Sequence, residues 1–180
     1  MSRIDEDRAF IPVRIAVLTV SDTRTPQDDK SGDVLVGRIE AAGHVLAARD
    51  IVADDRALIS AKLRTWGAVD DVDVIVSTGG TGLTGRDVTV EAHRDVYEKE
   101  IDAFGTVFTH VSMAKIGTSA VQSRACGGVA EGTYLFALPG SPGACKDAWD
   151  EILAFQLDSR HRPCNFVEIM PRLDEHLRRK

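Results

Sequence analysis

Four short apolar runs, residues 13–20, 44–52, 73–77 and 133–138, are each followed by a polar stretch and then by a segment whose apolar residues recur at helical spacing. Repetition of strand, loop and helix leaves few ways to bury apolar strands. Parallel neighbours need long crossovers, and the crossover helices cover both faces of the sheet. The chain is therefore expected to be an α/β protein, a three-layer α/β/α sandwich with a mainly parallel central sheet. Leu35, Ile39 and Ala42 mark one helix, with Gly43 as its stop. Ile59, Leu63 and Trp66 mark a second, capped by Asp54 or Asp55 and stopped by Gly67. Val90, Arg94 and Tyr97 then mark a third, and Phe104, Phe108 and Val111 a fourth. Residues 126–130 and 133–138 flank Glu131-Gly132, the spacing of a two-residue hairpin. Ser141 fits a helix N-cap and Pro142 the first helical position, ahead of Ala148, Ile152 and Phe155. Residues 160–180 have weak periodicity and read as a surface extension, possessing a basic end at Arg178-Arg179-Lys180.

In an open parallel sheet, ligands collect at the carboxyl ends of the strands. One such end carries Thr78-Gly79-Gly80-Thr81-Gly82-Leu83-Thr84-Gly85-Arg86-Asp87-Val88-Thr89. Four glycines and four threonines in this stretch let backbone N–H groups approach an anion without a shielding Cβ. Arg86 adds a fixed cation and Asp87 a potential metal ligand. A carboxylate beside an anion-binding loop repels phosphate unless a cation lies between them. Ser21-Asp22, Asp54 and the Pro139-Gly140-Ser141-Pro142 turn are expected at the same edge. By themselves, composition and spacing reach a phosphate-binding α/β domain.

The 180 residues suit one domain with a full layered core. A net charge of -6 argues against nucleic acid as the main partner. No apolar run reaches membrane-spanning length, and residues 1–8 lack the apolar centre of a secretion signal, so the expected address is the cytoplasm. Cys126, Cys145 and Cys164 form no CxxC or Cys/His pattern and are expected as free, mostly buried thiols. His44, His93, His110, His161 and His176 lack metal-site spacing, and none is assigned a catalytic role.

Taken together, Val20-Ser21-Asp22, Asp29-Lys30-Ser31-Gly32, Thr78 to Gly82, Arg86-Asp87-Val88-Thr89, Ser123-Arg124 and Leu138-Pro139-Gly140-Ser141-Pro142 resemble the MoaB/MogA-like family of molybdenum cofactor biosynthesis. The resemblance covers residues 14–166, and Gln122-Ser123-Arg124-Ala125 and Arg162-Pro163-Cys164-Asn165-Phe166 look like its MoaB branch. It implies a molybdopterin-binding domain over residues 13–159, with extensions at 1–12 and 160–180. For active members it implies Mg²⁺-dependent adenylylation of molybdopterin by ATP. The alternative is a non-catalytic molybdopterin-binding or scaffolding paralogue. A homotrimer or homohexamer is implied as well, with residues 104–116 facing either a neighbouring subunit or the protein's own core.

Asp87 matches the family's essential aspartate. Asp54 matches a second one, although Ala53-Asp54-Asp55 departs from the usual Pro-Asp-Glu, so that Asp55 stands as a substitute. These two carboxylates are the implied metal ligands and catalytic residues. Ser21, Asp22, Thr78, Gly79, Gly80, Thr81, Gly82, Arg86, Ser123, Pro139, Gly140, Ser141 and Pro142 are the expected substrate-binding residues. For Arg86 a structural ion pair, and for Ser141 an ordinary helix cap, are equally available roles.

Overall fold

The computed structural model describes residues 3–178. Met1, Ser2, Arg179 and Lys180, which belong to the start and the basic end read above, lie outside the described residues. The elements run β1 (Arg3–Ile4), β2 (Arg14–Val20), α1 (Lys30–Ala41), β3 (Val45–Val52), α2 (Arg56–Gly67), β4 (Val74–Thr78), α3 (Thr89–Arg94), β5 (Lys99–Glu100) and α4 (Asp102–Ile116). After a 3₁₀ segment (Gly117–Gln122) come β6 (Cys126–Ala130), β7 (Thr133–Leu138), α5 (Pro142–Ala148), a π turn (Trp149–Leu153) and α6 (Ala154–Gln156). The chain closes with β8 (His161–Arg162), α7 (Phe166–Ile169), a 3₁₀ turn (Met170–Arg172) and α8 (Glu175–Arg178).

The main sheet has six strands in the order β3-β2-β4-β7-β6-β5. The first four are parallel, whereas β6 and β5 run antiparallel at one side. Every residue of β4 and β7 is buried, which explains their unbroken apolar character. Successive side chains alternate between two cores. Val17, Val76, Phe136, Leu35, Ile39, Phe108 and Trp149 pack on one face. Leu18, Ile75, Leu135, Ile59, Leu63 and Ala92 pack on the other. Each such side chain contributes about 1.5–3 kcal/mol when fully buried, so both helical layers are held by apolar burial.

The local signals act where expected. Asp29 and Asp55 cap α1 and α2, and Gly43 ends α1 with a left-handed φ of 83°. Glu131 and Gly132 take φ values of 50° and 86°, as a type I′ hairpin turn requires. Three expectations change. Helix α3 ends at Arg94, so Tyr97 lies beyond it, and its buried positions are Thr89, Val90, Ala92 and His93 rather than Arg94. Six residues are too few for a periodicity to declare its face. The helix beginning at Pro142 passes through a π turn, whose extra residue rotates the following side chains; Ile152 is buried but Phe155 is not. Residues 160–178 are not merely a surface extension. β8 pairs with β1, Val167 is buried, Phe166 packs on the core, and its carbonyl accepts from Tyr134 Oη at 3.1 Å. Their elements span two to four residues, shorter than one period of any amphipathic pattern.

Helix α4 buries Phe104 and Phe108, while Val107, Met113 and Ile116 stay 44%, 50% and 53% exposed. Among the described residues, no helix is long and apolar enough to cross a membrane.

Candidate active site

Parallel register brings Val52, Val20, Thr78 and Leu138, the last residues of β3, β2, β4 and β7, to one edge. The chain leaving β4 must turn at once, and Gly79 and Gly80 do so with φ values of 103° and 61°. A Cβ on Gly79 would lie 2.2 Å from the Val20 carbonyl oxygen. A Cβ on Gly80 would lie 2.5 Å from Thr89 Oγ1 and 2.7 Å from Asp54 Oδ1. Glycine is thus required both by backbone conformation and by contact. Thr89 closes the loop, its Oγ1 donating to Gly79 O at 2.8 Å and its N–H to Gly80 O at 2.9 Å. The Pro139-Gly140 turn abuts it, since a Cβ on Gly140 would sit 3.1 Å from Gly79 Cα.

Asp54 and Asp22 brace each other across the exits of β3 and β2. The Asp22 N–H donates to Asp54 Oδ2 at 2.9 Å, and the Asp54 N–H to Asp22 Oδ1 at 3.0 Å. Asp55 instead caps α2, accepting from Ala57 and Leu58 N–H at 2.9 Å each. This separates the two neighbours: Asp55 has the capping role and Asp54 faces the glycine loop. Burial, with further contributions from the charges of Asp22 and Asp87, raises the Asp54 carboxyl above its ordinary value.

Asp87 turns back into the loop. Its Oδ2 accepts from Thr84 Oγ1 at 2.6 Å and Thr84 N–H at 2.8 Å. These bonds, and one from the Gly82 N–H, hold its carboxyl below the usual range and therefore ionised. Arg86 donates through Nε and Nη2 to Asp22, which lowers the Asp22 carboxyl. Asp54, Asp22, Arg86 and Asp87 form one chain of interactions that spans three loops.

Several expected substrate contacts are used internally. Thr78 is fully buried, and its hydroxyl donates to Pro139 O at 3.0 Å rather than facing the loop. The Gly79 N–H donates to Leu138 O at 3.1 Å, and that of Gly82 serves Asp87, so the loop cradles its own carboxylate as well as any ligand. Ser141 caps α5 by accepting from Ala144 N–H at 3.2 Å, and Pro142 is the first residue of that helix. Ser21 Oγ accepts from Thr23 and Arg24 N–H at 3.2 Å each, closing a turn. Thr81 is buried, with its carbonyl directed to Arg124. Ser123 lines a separate cavity of about 480 Å³ beside Arg94, Glu100, Thr109 and Cys126.

Sequence reading gave no role to three arginines that organise this edge. Arg124 reaches the carbonyls of Thr81, Gly82 and Asp87. Arg24 bonds Ser31 Oγ and donates to Gly140 O at 2.9 Å, tying the loop after β2 to the turn after β7. Arg49 donates to the fully buried Asp29 carboxylate at 2.9 Å, and Arg24 and Arg49 line a cavity of about 530 Å³ with Ser21. Separations of 37 to 116 residues hide such partners from any local pattern. Among the described residues, no group of three or more His, Cys, Asp or Glu is arranged to hold a metal. Mg²⁺ needs only one or two carboxylates, with water and substrate oxygens completing its shell.

A mainly parallel sheet with a glycine loop, two converging carboxylates and basic cavities at its carboxyl edge defines a polyanion-binding α/β domain. A family profile described as "Probable molybdopterin binding domain" matches residues 16–159. The chain is 48% identical over 166 residues to molybdenum cofactor biosynthesis protein B of Escherichia coli (strain K12), covering 92% of this chain and 96% of that protein. A crystal structure of molybdenum cofactor biosynthesis protein B superposes with a TM-score of 0.84 at 37% identity, covering 93% of this chain and 99% of the other. The tungsten cofactor synthesizing protein MoaB from Pyrococcus furiosus gives a TM-score of 0.70 at 33% identity, with coverages of 79% and 91%. The chain therefore belongs to the MoaB/MogA-like molybdopterin-binding family of molybdenum cofactor biosynthesis.

Proposed function

We propose that the protein is a Mg²⁺-dependent molybdopterin adenylyltransferase. The observation that carries this reading is the convergence of two carboxylates on one glycine loop: Asp54 Oδ1 stands against Gly80, and the Asp87 carboxylate against Gly82. Repulsion between such groups and a polyphosphate has a purpose when a divalent cation joins them. The donor set fits this ion, because Asp87 is ionised and Asp54 is under a burial and like-charge penalty that a cation relieves.

In the proposed reaction a terminal phosphate oxygen of molybdopterin bonds to the α-phosphorus of ATP. The α–β phosphoanhydride breaks, and pyrophosphate leaves with the bonding electrons. Mg²⁺ held by Asp54 and Asp87 would neutralise phosphate charge and favour the leaving group. Positioning is the chain's own contribution. The glycine loop allows close backbone approach, the Pro139-Gly140 turn walls the edge, and Arg24 and Arg49 supply positive potential to the neighbouring cavity. Ser21, Asp22 and Arg86 set the spacing between the loops carrying the two carboxylates.

A second reading, a molybdopterin-binding paralogue without turnover, is supported by the internal use of Thr84 and Gly82 on Asp87 and of Arg86 on Asp22. Incubation with molybdopterin, ATP and Mg²⁺ separates the two. Adenylylated pterin and pyrophosphate in equal amounts support the enzyme; pterin binding without either product supports the paralogue. We also propose a cytoplasmic homotrimer or homohexamer joined through the exposed apolar side of α4. Light scattering is expected to give three or six subunits, and Val107→Glu to lower that number.

A further inference from the structure

We infer that Arg124 is a positioning residue, a clamp that aims the Asp87 carboxylate by holding the backbone of its loop. This rests on the proposed role of Asp87. The Arg124 Nε donates to Thr81 O at 2.9 Å and Gly82 O at 3.0 Å, and Nη2 donates to Asp87 O at 3.3 Å. One planar group thereby ties the beginning of the turn to its end. On its other edge it pairs with Glu91 of α3, Nη1 to Oε1 at 2.5 Å and Nη2 to Oε2 at 3.2 Å. The Arg124 and Glu91 side chains are 28% and 36% exposed, so this pair is better shielded than a fully solvated one.

The peptide joining Thr81 to Gly82 shows how the clamp reaches the carboxylate. Its carbonyl accepts from Arg124, and its N–H bonds the Asp87 carboxylate. In a planar trans peptide these groups point in opposite directions, so fixing one aims the other. Each bond also polarises the peptide in favour of its counterpart. Little else restrains this segment from outside: Leu83 is 69% exposed, and Arg86 reaches only across to Asp22. A lysine has no flat fork of donors and cannot serve three carbonyls and a carboxylate together. Arg124 acts through main-chain groups and touches no reacting atom.

The test combines Arg124→Ala, Arg124→Lys and Glu91→Gln with Arg94→Gln as the control, since Arg94 pairs separately with Glu100. Amide hydrogen exchange and Mg²⁺ affinity by calorimetry are measured first, because neither depends on turnover. Expected for both Arg124 variants is at least tenfold faster exchange over residues 82–87, unchanged exchange in β4 and β7, and at least tenfold weaker Mg²⁺ binding. Glu91→Gln is expected to show the same pattern at smaller amplitude, and it carries the test if the alanine variant does not fold. In the turnover assay the half-saturating Mg²⁺ rises at least tenfold, KM for ATP moves less than threefold, and methylguanidinium partly rescues Arg124→Ala. Unchanged exchange over residues 82–87, or full replacement by lysine, overturns the clamp. A wild-type protein without adenylyl transfer overturns the enzymatic reading instead, and the exchange and Mg²⁺ results then decide the clamp alone.

Discussion

Replacing Asp87 by asparagine separates the chemistry of this residue from its place in the loop. Asparagine has nearly the same shape, and its carbonyl can still accept from Thr84 N–H and Oγ1–H, the bonds now at 2.8 and 2.6 Å. What disappears is their charge assistance, about 1 kcal/mol per bond, so Asp87→Asn is expected to weaken the loop by about 2 kcal/mol. Even if all of this reached the global transition, the melting temperature would fall by about 4–8 °C, and local opening of an exposed loop makes the fall smaller. Catalysis stands on a different scale. Loss of one of two anionic metal ligands removes several kcal/mol of charge stabilisation, and about 4 kcal/mol corresponds to roughly 10³ in rate. Pyrophosphate release with molybdopterin, ATP and Mg²⁺ measures the rate, while thermal unfolding and pterin titration measure what remains. The expected result is a loss near a thousandfold with folding and pterin binding retained. Activity within threefold of wild type would refute the reasoning, as would a loss that appears only with global unfolding.

The two adjacent aspartates should behave oppositely. Asp54→Asn is expected to stabilise the metal-free protein at pH 7, because a carboxyl raised in the folded state gives its stabilisation below the unfolded value and loses it as pH rises. It should also abolish a Mg²⁺-induced shift of about 3 °C, the size of about 1.4 kcal/mol expected at tenfold excess over Kd, in calorimetric scans. Asp55→Ala should retain activity and lose about 1 kcal/mol in denaturant unfolding as its cap on α2 disappears. Burial pushes His93 down to about 3, between Ser77 Oγ at 2.9 Å and Tyr97 Oη at 3.1 Å. The unfolded state thus binds the extra proton as pH falls, so stability present above pH 6.5 is lost toward pH 3 by up to about 1.4 kcal/mol per unit, a slope that His93→Gln should flatten in urea titrations. Gly80→Ala should reduce turnover more than solubility, since its methyl group would meet Thr89 Oγ1 and Asp54 Oδ1 at 2.5 and 2.7 Å; wild-type kinetics in that variant would remove Gly80 from the site.

Much of the architecture was legible because it follows from short-range chemistry. The apolar runs specified buried strands, Glu131-Gly132 the hairpin, and Ser141-Pro142 a helix start at the carboxyl edge. The glycine-threonine stretch could be placed at a strand exit for the same reason. Short elements were less legible: α3, the π turn and residues 160–178 span too little chain for a period to show which side is buried.

The linear order of residues determined which groups the edge can contain, because strand polarity sends every β4-like exit to the same side of the sheet. It left Asp54 and Asp55 equivalent, and it left the hydroxyl of Thr78 and the fork of Arg86 free to face a ligand. Tertiary contacts decided these points. Asp55 caps α2, Asp54 faces Gly80, Thr78 turns inward to Pro139, and Arg86 pairs with Asp22. Arg24, Arg49 and Arg124 became visible only through partners distant in the chain. The physical reason is that a cap, an ion pair and a ligand contact can use the same side-chain atoms, and only the folded surroundings determine which partner occupies them.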